Sequence, residues 1–186
     1  MTTVSILDLE TRLTSEFQRD PKGARVAQIL GEYARSPDDW SRYALFGGKG
    51  YTRNLIARSE HFELLLLCWN PEQASPIHNH AGQNCWMAVL EGEIGETQYS
   101  VPRPGHAGPL TEGGTKVLVP GKVAYISDEI ALHLIRPLNG QRGASLHLYS
   151  RPIETCNLYD EQTGTVVTRK MAYDSIRGQR VAAQMS

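Results

Sequence analysis

Cysteine is scarce in this chain: Cys68, Cys85 and Cys156 are the only three among 186 residues. An odd, small number cannot build a disulfide scaffold, so a secreted cross-linked protein is disfavoured and a reducing cytoplasm is expected. Long apolar runs are missing as well. The longest strongly apolar stretch, Leu64 to Trp69, has six residues, whereas a membrane helix needs about 20. No charge dominates, since 19 Lys and Arg face 20 Asp and Glu for a net charge of −1. That balance argues against nucleic acid or an anionic membrane as partner. The first ten residues lack the basic and apolar regions of a signal peptide, so none is expected. What remains is ordinary for a folded domain: 40% hydrophobic and 21% charged residues. The length suits a single domain over residues 1–186 with a real core, and a monomer is expected.

The first fifty residues read as helical. Ser5 can cap a segment whose Leu7, Leu9, Leu13 and Phe17 roughly follow a 3.6-residue period. Pro21 opens a second segment with Ala24, Val26, Ile29, Leu30 and Tyr33. Ser36 and Pro37 have the N-cap and first-position chemistry to start a third. Gly47, Gly48 and Gly50 then read as a hinge. From Tyr51 onward, short runs rich in Val, Ile, Leu, Thr and Tyr alternate with turn residues. Strands are expected at 51–58, 61–69, 75–79, 84–91, 95–101, 115–119, 122–127, 131–136, 143–150 and 164–170. Turns are expected at Leu90–Glu93, Pro102–Gly105, Pro120-Gly121, Leu138–Gly140 and Gln162–Gly164. The pattern predicts an all-β sandwich or barrel over 51–186, with the helical part (1–50) as an N-terminal extension.

Three patterns carry chemistry. In His78-Asn79-His80 the histidines stand at i and i+2, on one face of a strand and about 6.5–7 Å apart. Two imidazoles so spaced can lean onto one metal ion, although an isolated pair is more often a pair of surface histidines. His133, among apolar Ala131, Leu132 and Leu134, is costly to bury without a partner. The second pattern, Ser145-Leu146-His147-Leu148-Tyr149, alternates polar and apolar residues. Its polar stripe either faces into a barrel, where it needs hydrogen-bond partners, or faces solvent. In the third, Tyr51-Thr52-Arg53, a phenol and a guanidinium fork share a face. Arg binds carboxylates bidentately and stays charged when partly buried, though a surface pairing with an acid is the commoner use.

His78-Asn79-His80, followed by Cys85 and Gly92, resembles the first metal-binding motif of the cupins, which are double-stranded β-helix barrels. Cys85 stands in that motif's acidic position, and Glu72 replaces its usual upstream glycine. Only His133 and Gly121 match the second motif. Three neutral imidazoles leave a ferrous ion its full charge, which favours anionic ligands. They also describe catalytic zinc, so ligand count leaves the metal open.

Within the cupins the chain closely resembles the cysteine dioxygenases. The likeness rests on Tyr51–Leu55, Leu67–Trp69, Ile77–His80, Cys85, Ala124–Asp128, Leu132-His133, Ser145–Ser150, Glu154–Cys156 and Asp160–Gly164. These run in the family's order over roughly residues 51–170, and the helical N-terminus also matches. By this resemblance His78, His80 and His133 hold Fe(II), and the substrates are L-cysteine and O2, with cysteine sulfinate as product. Cysteine chelates the iron through thiolate and amine, while Arg53 grips its carboxylate with Tyr51 beside it. Tyr149 places its hydroxyl near the reacting sulfur, and His147 and Ser145 orient that hydroxyl. Cys85 is implied to form a thioether bond to Tyr149, although a small buried apolar role suits a free cysteine too. Cys156 and Trp69 fall near the pocket, Cys68 reads as structural, and His61 and His106 match no ligand position.

Two departures stand out. Asn84 replaces a histidine of animal members, and Ser150-Arg151-Pro152 replaces their Ser-Pro-Pro, in which a cis bond precedes the first proline. A non-proline cis bond costs about 2.5–4 kcal/mol, so a trans bond is expected here, with Arg151 as a candidate second anion contact. Dioxygenases of 3-mercaptopropionate are the close alternative, but they usually carry glutamine at the position of Arg53. A zinc isomerase and a non-catalytic thiol or sugar sensor are the alternatives from other classes.

Overall fold

The computed structural model describes residues 4–37, 39–101 and 108–181. Two helices, α1 (Ile6–Arg19) and α2 (Val26–Arg35), and a 3₁₀ turn (Trp40–Tyr43) precede the strands. Ser5 caps α1 in a reciprocal capping box with Asp8, satisfying amides that the helix leaves open. The buried stripe of α1 is Ile6, Leu9, Leu13 and Phe17, while Leu7 is 65% exposed. Leu7 was expected in the stripe, but at 100° per residue the 3.6-residue period selects its neighbour Ile6. The second helix begins five residues after Pro21. Asp20 instead accepts the amides of Lys22 and Ala24, and Gly23 takes φ +67°, which makes residues 20–24 a turn. Ser36 closes α2 rather than capping a third helix, its amide reaching Tyr33 O.

Among the described residues thirteen strands follow: β1 (Thr52–Arg58), β2 (Glu63–Trp69), β3 (Ile77–His78), β4 (Cys85–Glu91), β5 (Ile94–Tyr99), β6 (Glu112–Leu118), β7 (Val123–Ile126), β8 (Leu132–Pro137), β9 (Gly143–Tyr149), β10 (Thr155–Tyr159), β11 (Val166–Lys170), β12 (Ser175–Ile176) and β13 (Gln179–Arg180). They form a seven-stranded sheet, β13-β12-β1-β2-β9-β4-β7, and a six-stranded one, β11-β10-β3-β8-β5-β6. The expected all-β architecture with a helical N-terminal part is therefore present, as two sheets that enclose a common core.

Ten strands match expected ones, and β10, β12 and β13 are additional. β10 mixes Cys156, Asn157 and Leu158, and β12 and β13 have two residues each, so none shows alternation. The expected strand 75–79 shrinks to β3, and His80 falls just beyond it. The expected turn Pro102–Gly105 and His106 lie outside the described residues. Gly92, at φ +72°, turns the chain between β4 and β5 where a Cβ would run into the Arg142 carbonyl. This is the conformation that glycine adopts without strain.

The alternation on β2 and β9 divides the core in two. Leu64, Leu66, Cys68, Leu146 and Leu148 pack with both helices on the outer face of the seven-stranded sheet. Leu65, Leu67, Trp69 and Tyr149 join Cys85, Ile135 and Cys156 between the sheets. The helices therefore cover a face that water would otherwise reach, and all seven residues of β9 are buried. The polar stripe of β9 consequently points inward.

Candidate metal centre and cavity

His78 on β3 and His133 on β8 are register partners. His80 joins them from the turn after β3, and the three can offer ligand nitrogens within 4.8 Å of one another. His80 Nε2 and His133 Nε2 are 3.1 Å apart. Neighbours set two of the rings. His78 Nδ1 donates to Pro76 O at 2.9 Å, and His133 Nδ1 to the buried Glu96 Oε1 at 2.9 Å. With Nδ1 protonated, each leaves the Nε2 lone pair free to bind a metal. His80 is aimed through its backbone instead: its amide and that of Gly82 donate to the two oxygens of Asp128 at 2.6 and 2.7 Å. Burial, with His80 adjacent, pulls the His78 pKa down to about 3, and burial takes His133 well below its ordinary value. Rings kept neutral at physiological pH are what a cation requires, so the donor set fits a metal ion.

Beside this cluster lies a cavity of about 490 Å³. Its lining includes His78 and His80 from the six-stranded side and Tyr51, Arg53, Trp69, His147 and Tyr149 from the seven-stranded side. Arg53 is 8% exposed, and its Nε donates to Ala172 O at 3.2 Å. Burial opposes its charge, but Tyr149, Tyr51 and Glu63 nearby raise the guanidinium pKa overall. Arg53 is therefore a permanent cation inside a largely apolar chamber. Tyr51 stacks on Trp69 with ring centroids 4.4 Å apart.

Trp69 Nε1 donates to Ser145 Oγ at 3.1 Å, and Ser145 Oγ lies 3.0 Å from His147 Nε2. These contacts pair the Ser145 hydroxyl and one ring nitrogen of His147, two of the three polar groups on the inward stripe of β9. Among the described residues no hydrogen bond joins His147 to the Tyr149 hydroxyl, although their ring centroids are 6.4 Å apart. Cys85 on β4 is the register partner of Tyr149 on β9, and burial raises the pKa values of its thiol and of the phenol.

Other expected positions fall elsewhere. The Ser150–Arg151 peptide is trans, since the described residues contain no cis bond. Arg151 is exposed and does not line the cavity, so the expected second anion contact is not formed. Cys156 lines the cavity with its thiol 3.2 Å from Met171 Sδ. Cys68 is buried away from the cavity beside Asn54, and burial pushes its pKa up to about 12. Glu96, Asp128 and the segment around Ala172 had no role assigned from sequence. The only signals for them were the acid within Ala124–Asp128 and the acid of β5, neither of which carries spacing to a histidine.

The family model for cysteine dioxygenase type I matches residues 1–162. The chain belongs to the cysteine dioxygenase type I family. Its relatives include cysteine dioxygenase type 1 of Danio rerio, 35% identical over 182 residues, covering 96% of this chain and 90% of the relative. The Homo sapiens protein of the same name is 34% identical over 163 residues, with 86% and 81% covered. Among solved structures, a Thermus thermophilus protein, TT1209, is similar at a TM-score of 0.49 and 23% identity, covering 62% of this chain and 97% of that one. As a member of the cysteine dioxygenase family, the protein is an enzyme, a non-haem iron thiol dioxygenase.

Proposed function

We propose that the enzyme is an Fe(II)-dependent cysteine dioxygenase in which His78, His80 and His133 hold the iron. What supports this most is one juxtaposition: three imidazoles converge on one side of the cavity and the Arg53 guanidinium lies on the other. A small molecule carrying both a thiol and a carboxylate suits such a chamber. The metal would supply a site where the thiolate and O2 meet as neighbours.

The chain's own residues account for the rest. Arg53 pairs with the substrate carboxylate, and its burial strengthens that attraction. Tyr51, stacked on Trp69, walls the same end. Tyr149 keeps its hydroxyl protonated, since burial raises its pKa, and so offers a hydrogen bond to the reacting sulfur. Ser145 fixes the His147 ring that stands beside it. Fixed geometry replaces a bimolecular encounter with an oriented one. Both oxygen atoms go to sulfur, which loses four electrons as O2 gains four, so no external reductant is needed. L-Cysteine and O2 are the substrates, and a monomer in the cytoplasm fits the chain's composition and unpaired cysteines.

The 3-mercaptopropionate reading is not favoured by the family match. Turnover of the two thiols by iron-loaded protein tests the choice: sulfinate should form preferentially from cysteine, and a preference for the thiol without an amine would overturn it.

The register also supports the thioether between Cys85 and Tyr149, because directly opposed residues bring their Cβ atoms to about 4.5–5.5 Å. Forming the C–S bond removes one hydrogen from each residue, with O2 as the oxidant during turnover. The intact mass should fall by two hydrogens after turnover, and Cys85→Ala should abolish that fall. An unchanged mass in active enzyme would refute the bond and leave the dioxygenase assignment in place.

A further inference from the structure

Behind Arg53 lies an acidic residue that the proposed chemistry does not use. Glu63, the first residue of β2, has a fully buried side chain, 3.8 Å from Arg53 Nη2 through its Oε2. Neither Glu63 Oε2 nor Arg53 Nη2 has a hydrogen-bond partner among the described residues. The other oxygen, Oε1, accepts from the Tyr173 hydroxyl. That hydroxyl in turn accepts from Arg58 Nη1 at 2.8 Å, and Arg58 pairs at the surface with Glu154.

The backbone explains why these groups meet. A bulge at Ile56 shifts the β1–β2 register between Leu55 and Ala57. The shift returns Arg58 to the interior face already occupied by Arg53. Glu63 is also the register partner of Tyr149, so both side chains stand on the inward face of the sheet that carries Arg53. The 172–174 segment ties the arrangement to β1. Asp174 Oδ2 accepts the Arg53 amide, Asp174 donates its own amide to Arg53 O, and Ala172 O takes Arg53 Nε.

An acid buried this completely is costly unless a cation answers it. Arg58 Nη1 also stands 4.0 Å from Glu63 Oε1, but Arg58 is partly exposed and already paired with Glu154, so the buried cation that answers Glu63 Oε2 is Arg53. We propose that Glu63 is a positioning residue for the substrate clamp. Held by Tyr173, it restrains the Arg53 guanidinium from behind, so that the donors facing the cavity are aligned before a carboxylate arrives. The inference rests on Arg53 acting as the carboxylate clamp.

Steady-state kinetics of the iron-loaded enzyme test it. Glu63→Gln keeps the shape and removes the charge. It should raise the KM for cysteine about 5- to 20-fold, less than the loss of a whole charge-assisted hydrogen bond because Arg53 itself remains, and change kcat less than about twofold. Tyr173→Phe, which removes the hydroxyl that holds Glu63, should raise KM in the same direction by about threefold. It carries the comparison if Glu63→Gln does not fold. In an Arg53→Ala background, Glu63→Gln should produce no further rise, whereas a general structural role would add to the first loss. An unchanged or lowered KM, a loss confined to kcat, or additive effects would each overturn the proposal. No turnover of cysteine by the unmodified enzyme would remove both this inference and the assigned activity. Normal turnover with an unchanged KM in the variants would remove the inference alone.

Discussion

His133→Ala should abolish oxygen uptake with cysteine and cost more metal affinity than the roughly 10- to 100-fold lost when only an outer partner of a ligand is removed. Of the three histidines this one is held most firmly. It is buried, lies on a central strand of its sheet between β3 and β5, and is fixed in one tautomer by Glu96. Its loss leaves two imidazoles, one of them held by its backbone amide and by a ring nitrogen that stands 3.4 Å from Asp128 without a hydrogen bond. Metal content after dialysis and oxygen consumption measure the effect, and circular dichroism checks that the barrel persists. A variant that kept stoichiometric iron and full activity would show that His133 is not a ligand. Glu96→Gln should fall between that variant and the unmodified protein, because an amide oxygen still accepts from Nδ1 but with less charge.

The second large effect is expected at Arg53→Ala. A buried guanidinium that takes a carboxylate through charge-assisted bonds contributes about 3 kcal/mol, so the KM for cysteine should rise roughly 100-fold. The same change leaves Glu63 buried with its nearest cation gone, and stability should fall as well. Thermal melting of the metal-free protein separates the two consequences. Because loss of stability acts on the amount of folded enzyme, it lowers apparent kcat, whereas loss of the clamp raises KM. An unchanged KM in folded Arg53→Ala would remove the carboxylate assignment.

Much of this was legible in the chain because residue types alone carry it. His78-Asn79-His80 and the alternating Ser145–Tyr149 stripe are local patterns, and Arg53 beside Tyr51 is another. Their convergence was not local. It depends on β3 pairing with β8 and on the two sheets enclosing one cavity, and only the family resemblance supplied that. The i, i+2 reading of the histidine pair was also too simple, since β3 ends at His78 and Asp128, 48 residues after His80, orients the second ring. Glu63 was hidden for the opposite reason. It begins a leucine-rich strand where an acid looks like a solvated end, and its partner Tyr173 lies 110 residues away. The α1 stripe erred by one residue at Leu7, because three leucines at irregular spacing outweighed the phase set by Ile6.

The central claim is that this cavity delivers both atoms of O2 to the sulfur of cysteine. The most direct measurement is turnover of cysteine under ¹⁸O2 by the iron-loaded enzyme, with oxygen uptake recorded and the product weighed by mass spectrometry. One O2 should be consumed per cysteine, and the sulfinate should carry two labelled oxygens. A disulfide product, a single labelled oxygen, or no uptake with fully loaded iron would contradict the claim.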